Sequence, residues 1–152
     1  MNITKLKELG HGIECQVYKV NVKIVCKSFV TRLTNEPRPK RAEFAYRMQK
    51  VAYRYNLAPR PLALEDNQVY SEYAESFESM RYSGTWYDFQ QTQEFKEFIK
   101  RLENILGRFV DSHSGNIARL SNGKLCCIDF GICGFTLSRI GNMLAKKLKI
   151  KY

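Results

Sequence analysis

The order of hydrophobic and polar positions divides the chain into strand-like runs, three helical stripes and a short hairpin. From residue 5 to 30 the pattern is that of strands. Leu9-Gly10-His11-Gly12 is followed by Cys15-Gln16-Val17-Tyr18-Lys19-Val20, Asn21 marks a turn, and Ile24–Phe29 is an apolar run with Lys27 inside it. Thr31–Lys40 is a polar, proline-bearing connection. Apolar residues then return at helical spacing, Ala42, Ala45, Met48, Val51 and Ala52, and predict a helix over Arg41–Tyr55. Pro59 and Pro61 end that region. Leu62–Leu64 and Gln68–Tyr73 read as two strands about the turn Glu65-Asp66-Asn67. Residues 75–93 show no period and read as irregular. Phe95, Phe98, Ile99, Leu102 and Ile105/Leu106 predict a second helix over Glu94–Leu106, which Gly107 stops, and the stripe reads as core packing. Two short strands follow, Ile117–Leu120 and Leu125–Ile128, with Asn122-Gly123 as the φ > 0 pair of a tight hairpin turn. Leu137, Ile140, Leu144 and Leu148 then share one face of a C-terminal helix.

Composition narrows the class. With 152 residues and 44% hydrophobic content the chain can bury a core, as one domain or as two small lobes sharing a cleft. The five cysteines are odd in number and lack metal-ligand spacing, so they read as reduced thiols in a cytoplasm. Adjacent Cys126 and Cys127 point to opposite faces of a strand, which places Cys26 and one of the two in the core. No signal peptide and no membrane-length apolar run is present, and no membrane partner is expected. The net charge of +10 favours acidic partners: nucleic acid, an anionic surface or nucleotide phosphates. Lys146, Lys147, Lys149 and Lys151 make the C-terminal helix strongly basic.

The chemistry concentrates in DSHSGNIARLSNGKLCCIDFG, Asp111 to Gly131. Asp111 and Asn116 sit five positions apart in a Ser/Gly-rich loop, and the hairpin carries the chain back to Asp129. Asp111, Asn116 and Asp129 can therefore converge. Two oxygen ligands beside a third carboxylate suit Mg²⁺, which takes few protein ligands and completes its shell with water and phosphate. A carboxylate off the metal can orient a hydroxyl and accept its proton. Asp129-Phe130-Gly131 alone is compatible with a simple turn; preceded by Asp-x4-Asn and a hairpin it is far more specific. Gly10 and Gly12 at a hairpin tip let backbone N–H groups approach phosphates, although alone they read as a plain turn. Lys27 alone reads as a snorkelling edge residue, or else as a paired functional charge. Glu43, in the first turns of the predicted helix, could reach Lys27, or could simply suit the helix dipole.

Five separated elements agree in order, and the chain resembles the protein-kinase-like superfamily, including the small atypical RIO-type kinases and the aminoglycoside-phosphotransferase type. Gly10-x-Gly12-x-x-Cys15-x-Val17 looks like the glycine-rich loop, with Cys15 where a third glycine is usual. Ile24-Val25-Cys26-Lys27 looks like the strand with the phosphate-binding lysine, and Glu43 like its ion-pair partner. Tyr70-Ser71-Glu72-Tyr73-Ala74 looks like the hinge, which implies that the Glu72 carbonyl and Ala74 amide meet the adenine edge. Asp111-x4-Asn116 looks like the catalytic loop, close to the DLHPGN form of the phosphotransferases, and Asp129-Phe130-Gly131 like the metal-binding DFG. The sequence departs from the pattern at Phe109, where His is usual, and at Val110, where protein kinases have Arg. Only 21 residues follow Gly131, so a long activation segment and substrate-docking helices are not expected.

The resemblance implies an α+β, bilobal fold in one minimal domain over 1–152. An antiparallel sheet and hinge occupy 1–74, and a truncated, mainly helical lobe occupies 75–152. The implied activity is an ATP- and Mg²⁺-dependent phosphotransferase acting on Ser or Thr of a protein substrate or of the chain itself. Gly10, Gly12, Val17 and Lys27 would hold phosphates and Glu43 would orient Lys27. Asn116 and Asp129 would hold Mg²⁺, and Asp111 would act on the acceptor hydroxyl. Two alternatives stand beside it: a pseudokinase that binds nucleotide as a switch or scaffold, and a basic adaptor for nucleic acid or a ribosome.

Overall fold

The computed structural model describes residues 6–11, 15–31, 34–78, 84–107 and 112–130. Gly12, Phe109, Val110, Asp111, Gly131 and the predicted helix over 137–148 lie outside the described residues.

Strands β1 (Lys7–His11), β2 (Cys15–Lys19), β3 (Ile24–Phe29), β4 (Pro61–Glu65) and β5 (Gln68–Glu72) form an antiparallel sheet in the order β1-β2-β3-β5-β4. β3 is therefore central. Lys27 pairs with Val17 on one side and Val69 on the other, so its strand has no free edge. This decides against the snorkelling-edge account of Lys27, which a charged residue in an apolar strand had left open. The register of β1 on β2 shifts between Glu8 and Gly10, a bulge that twists the strand at Gly10.

Helix α1 (Pro39–Arg54) lies between β3 and β4 in the chain. It begins two residues before the predicted Arg41 because proline's fixed φ and missing N–H suit the first helical position. Its buried face is Ala42, Phe44, Ala45, Met48, Gln49 and Ala52, packed on β3, β4, β5 and the later helix α3 (Gln93–Leu106). The three alanines allow close approach to the sheet. Buried Gln49 is satisfied because its side-chain amide donates to the Pro59 carbonyl at 3.0 Å. Asp66, at φ 49°, turns β4 into β5.

The stretch read as irregular contains two elements: β6 (Glu75–Ser76) and α2 (Trp86–Gln91). A six-residue helix is too short to show a period, and its signal lies in its cap instead. Thr85 Oγ1 accepts from the Asp88 amide at 3.1 Å while the Thr85 amide donates to the Asp88 carboxylate at 3.2 Å, a reciprocal capping box. α2 carries Trp86 and Phe89 into a ring cluster with Phe77 and Phe95; Phe77 stacks on Phe89 at 4.2 Å and Trp86 meets Phe95 edge-on at 5.5 Å. Arg119 covers this cluster, 5.6 Å from the Phe77 ring, while pairing with Glu94 at 2.8 and 3.0 Å. In α3, Phe95, Phe98, Leu102 and Leu106 are buried as the helical stripe predicts, and Gly107 ends the helix at φ 63°.

β6, β7 (Ile117–Arg119) and β8 (Leu125–Cys127) form a second antiparallel sheet. Two expectations need correction here. Of the pair Asn122-Gly123 only Gly123 has positive φ, at 80°. The turn closes by Gly123 N donating to Leu120 O at 2.9 Å, so the loop is one residue longer than a two-residue turn and needs φ > 0 once. Cys126 and Cys127 are both fully buried, because β8 is covered on both faces. Burial likewise pushes the Cys26 thiol up to about 11 and the Cys126 thiol higher still, so neither is a ready thiolate.

Leu102 is fully buried at the centre of α3's apolar face. Leu102→Ala is expected to cost about 2–5 kcal/mol through lost contacts and an unfilled cavity. Urea titration checks this: the midpoint should fall with the slope unchanged.

Candidate functional site

The two sheets share a cleft of about 620 Å³. Leu9, Val17 and Val25 from the five-stranded sheet form an apolar side; Ser71, Glu72, Tyr73 and Ala74 line the crossing between sheets. Glu78, His113, Gly115, Asn116, Ile128 and Asp129 line the polar end. Gly10, Cys15 and Lys27 face it from β1, β2 and β3. Of the site residues predicted from the sequence and described, Gly10, Val17, Lys27, Glu72, Ala74, Asn116 and Asp129 all surround this one cleft.

The short second sheet explains how Asn116 and Asp129 meet. Ile117 pairs with Cys127, and one step further the Ile128 amide donates to the Asn116 carbonyl at 2.9 Å. The hairpin thus closes on itself and leaves Asp129 next to the Asn116 loop. The Asn116 amide bonds to the His113 carbonyl at 2.9 Å, which folds residues 113–116 into a tight turn. Asn116 is buried, whereas Asp129 is about two-fifths exposed, at 39% of its side-chain surface.

Lys27 joins the two sheets. Its ammonium donates to the Ile128 carbonyl and lies 3.7 Å from Asp129 Oδ1, with only 12% of the side chain exposed. Burial works against the ammonium. The Asp129 charge, with Cys15 and Cys127 nearby and the Asp129 hydrogen bond, outweighs it, so the Lys27 pKa stands above the ordinary lysine value. Glu43 is placed differently from the expectation. It pairs with Arg47, one turn along α1, and Lys27 takes its ion pair from Asp129. The reason is local geometry: positions i and i+4 of a helix are neighbours, so Arg47 is always within Glu43's reach.

Glu72 sends its carboxylate to Arg60 at 3.0 Å and its amide to the Arg60 carbonyl at 2.9 Å. What β5 and the residues just after it offer the cleft is therefore mainly backbone and the small residues Ser71 and Ala74. Cys15 is nearly buried, at 8% exposure.

Glu78 and His113 were not singled out from the sequence. Glu78 falls in the stretch without a period, and His113 is one polar residue among several in its loop. The signal for both is Gly115. A Cβ there would lie 2.8 Å from a Glu78 carboxylate oxygen and 2.9 Å from His113 Cε1, so the absent side chain makes room for both. His113 also accepts the Gly115 amide on Nδ1 at 3.0 Å.

At the polar end Asn116 and Asp129 offer an amide oxygen and a carboxylate beside a fixed cation, with the Glu78 carboxylate and the His113 ring on the same lining. Oxygen donors few in number suit Mg²⁺ bound together with phosphate rather than a closed protein cage. Among the described residues there is no cluster of three or more His, Cys, Asp or Glu that would suit a transition metal. Among them, also, no helix is long and apolar enough to cross a membrane.

No family model matches the chain, and no curated protein matches it. Solved structures do. The chain is similar to the Rio2 kinase of Chaetomium thermophilum, in its complex with ADP/Mg²⁺ and phosphoaspartate, at 13% identity and a TM-score of 0.57. The match covers 95% of this chain and 52% of the Rio2 chain, so the chain spans about half the length of that kinase. The likeness shows the fold: α+β and kinase-like, with an antiparallel five-stranded sheet.

Proposed function

We propose that the protein is an ATP- and Mg²⁺-dependent phosphotransferase whose acceptor is a Ser or Thr hydroxyl of a protein, the chain itself included. Residues 1–74 and 75–152 serve as the two lobes of one minimal domain, with the reaction between them. The observation that carries this reading is the meeting of Lys27, Asn116 and Asp129 in a single cleft whose other side is apolar. Leu9, Val17 and Val25 offer a flat base an apolar slot, with the backbone of Glu72 and Ala74 at its edge. Backbone amides about Gly10 and Gly12, with the Lys27 ammonium, hold the phosphates. Asn116 and Asp129 are the residues that would hold Mg²⁺, which when bound neutralises charge on the phosphates. Asp111 orients the acceptor hydroxyl and takes its proton. Glu43 orients Lys27 only after exchanging Arg47 for it, so its part is the smaller one. The buried cysteines Cys15, Cys26, Cys126 and Cys127 suit reduced side chains in a cytoplasm.

The test is incubation with γ-labelled ATP and Mg²⁺, alone and with cell lysate, for wild type and Asp129→Ala. Mg²⁺-dependent label on protein, lost in the variant, supports the reading. The similar Rio2 structure contains a phosphoaspartate. Label on this chain is therefore treated with hydroxylamine, which cleaves an acyl phosphate and spares a Ser or Thr ester. Label released by hydroxylamine would replace the hydroxyl acceptor with Asp129 or another carboxylate.

A second reading, nucleotide binding without transfer, is favoured by one observation: Lys27 is already neutralised by Asp129. Mg²⁺-dependent nucleotide binding without any labelled product selects it.

Cys15 supplies a further check. It lines the cleft and is only 8% exposed, so its alkylation should be slow and ATP·Mg²⁺ should slow it more. Equal alkylation rates with and without saturating nucleotide would remove residues 10–17 from phosphate binding.

A further inference from the structure

We propose that the outer face of α1 binds single-stranded nucleic acid, by its phosphates and its bases together. α1 carries five cations, Lys40, Arg41, Arg47, Lys50 and Arg54, against the single acid Glu43, a net of +4 out of the chain's +10. Four of the five are exposed: Lys40, Arg47, Lys50 and Arg54. At 3.6 residues per turn these four fall within an arc of about 80°, opposite the buried face, in a stripe about 21 Å long. A solvated helix face ordinarily mixes signs to gain i,i+4 pairs. Here the single acid Glu43 lies within the stripe and pairs with Arg47, and Lys50 and Arg54 have no acidic neighbour three or four positions away.

Flat rings flank the stripe, with Tyr46 and Tyr53 one turn before and one turn after Lys50. Tyr53 and Tyr55 are 41% and 48% exposed beside Arg54, and Lys50 lies over the Tyr46 ring at 5.4 Å. The end of the stripe is held in place, because exposed Arg101 of α3 donates to the Tyr55 carbonyl at 2.9 Å. Cations spaced along a line with solvent-facing aromatic rings complement phosphates joined to unstacked bases. An acidic peptide would use the charges but offers no bases for the rings. A duplex keeps its base faces inside the stack. No residue of α1 lines the cleft, so this surface stands apart from the phosphotransfer reading.

The test is fluorescence anisotropy of the full chain with a labelled oligothymidylate of about 15 nucleotides, and with a duplex of the same length, across a salt series. Lys50→Glu with Arg54→Glu should weaken oligothymidylate binding at least about 10-fold and make the log–log salt dependence shallower by about 1.4, the share of two phosphate contacts. Tyr53→Ala with Tyr55→Ala should weaken it about 5-fold or more with the salt slope unchanged. Unchanged affinity in either variant overturns the proposal, and so does tighter binding of the duplex. It is also overturned if polyglutamate binds with the same sensitivity to the α1 substitutions. Loss of all binding on replacing Lys146, Lys147, Lys149 and Lys151 by Ala, with the α1 variants binding as wild type, would assign the charge to the tail instead. Should charge reversal unfold the protein, wild type decides: bound oligothymidylate should protect Lys50 from acetylation, and an unprotected Lys50 overturns the proposal.

Discussion

Lys27→Met is expected to lower phosphoryl transfer by about 10²-fold or more and to leave a folded protein, the scale set by removing one preorganised charge from a reacting site. β3 is paired on both sides, so the backbone ladder through Val17, Lys27 and Val69 does not depend on the ammonium. Methionine also fills the space of the lysine stem. What disappears is the donor to the Ile128 carbonyl and the cation beside Asp129. Asp129 is partly exposed and can take water in its place. The lost bond to the carbonyl sets the stability cost, about 1–3 kcal/mol. The pH dependence of that cost follows from the raised pKa. The ammonium's contribution to stability is complete below the ordinary value of 10.5 and is lost as pH rises through the higher folded value. Any change in wild-type melting temperature between about pH 6 and pH 9 therefore comes from other groups. Glu43→Gln should reduce turnover less, since Glu43 already has Arg47 as a partner. The measurements are initial rates with γ-labelled ATP and thermal melts of each variant. Normal turnover in Lys27→Met, with only the melting temperature lowered, would leave Lys27 as a structural bridge between the sheets.

The positions of the site residues were easier to read than their partners. Asn116 and Asp129 were legible because a hairpin is a local device. Strand length and turn residues fix which positions lie opposite each other, and the Ile128–Asn116 hydrogen bond is the direct product. Lys27 was legible as a charge in an apolar run, but its place in the sheet was not. Whether a strand is central or at an edge depends on β5 inserting beside β3, a pairing of residues some forty positions apart that no local pattern records. The ion-pair partner of Lys27 was harder still. Glu43 and Asp129 are both carboxylates that a fold could bring to it, and the choice turned on Arg47 competing one turn away. Cys126 shows the same limit at β8, where strand alternation assigns opposite faces but cannot say that both are covered. Asn122 differs. The dipeptide signal for a turn was correct, but its geometry depended on one extra residue in the loop, which the Leu120–Gly123 hydrogen bond reveals. α2 was hidden by its brevity, though Thr85 and Asp88 carry its start signal in the sequence.

Asp129→Ala and Asp111→Asn should separate binding from chemistry. Asp129 reaches the cleft beside Asn116, and its carboxylate balances the buried ammonium of Lys27. Removing it takes away an oxygen donor for Mg²⁺ and frees Lys27 from its counter-charge. Asp129→Ala should therefore lose the Mg²⁺ dependence of nucleotide affinity along with turnover. Affinity for nucleotide without Mg²⁺ should hold or rise, because Lys27 is then available to phosphate alone. Asp111 has a different assigned task, the acceptor hydroxyl. Asp111→Asn keeps the size and hydrogen-bonding reach and loses only the charge that accepts a proton. It should bind ATP·Mg²⁺ nearly as wild type does and transfer phosphate slower by about 10²-fold or more, as expected for loss of a general base. Nucleotide titrations with and without Mg²⁺, beside single-turnover transfer, give both quantities for each variant. Wild-type turnover in Asp111→Asn would remove Asp111 from the mechanism. Mg²⁺-dependent binding that survives Asp129→Ala would remove the metal from Asp129 and leave its carboxylate as the counter-charge of Lys27. Binding as described, with no transfer in any version, would leave the cleft as a nucleotide-binding switch or scaffold without turnover.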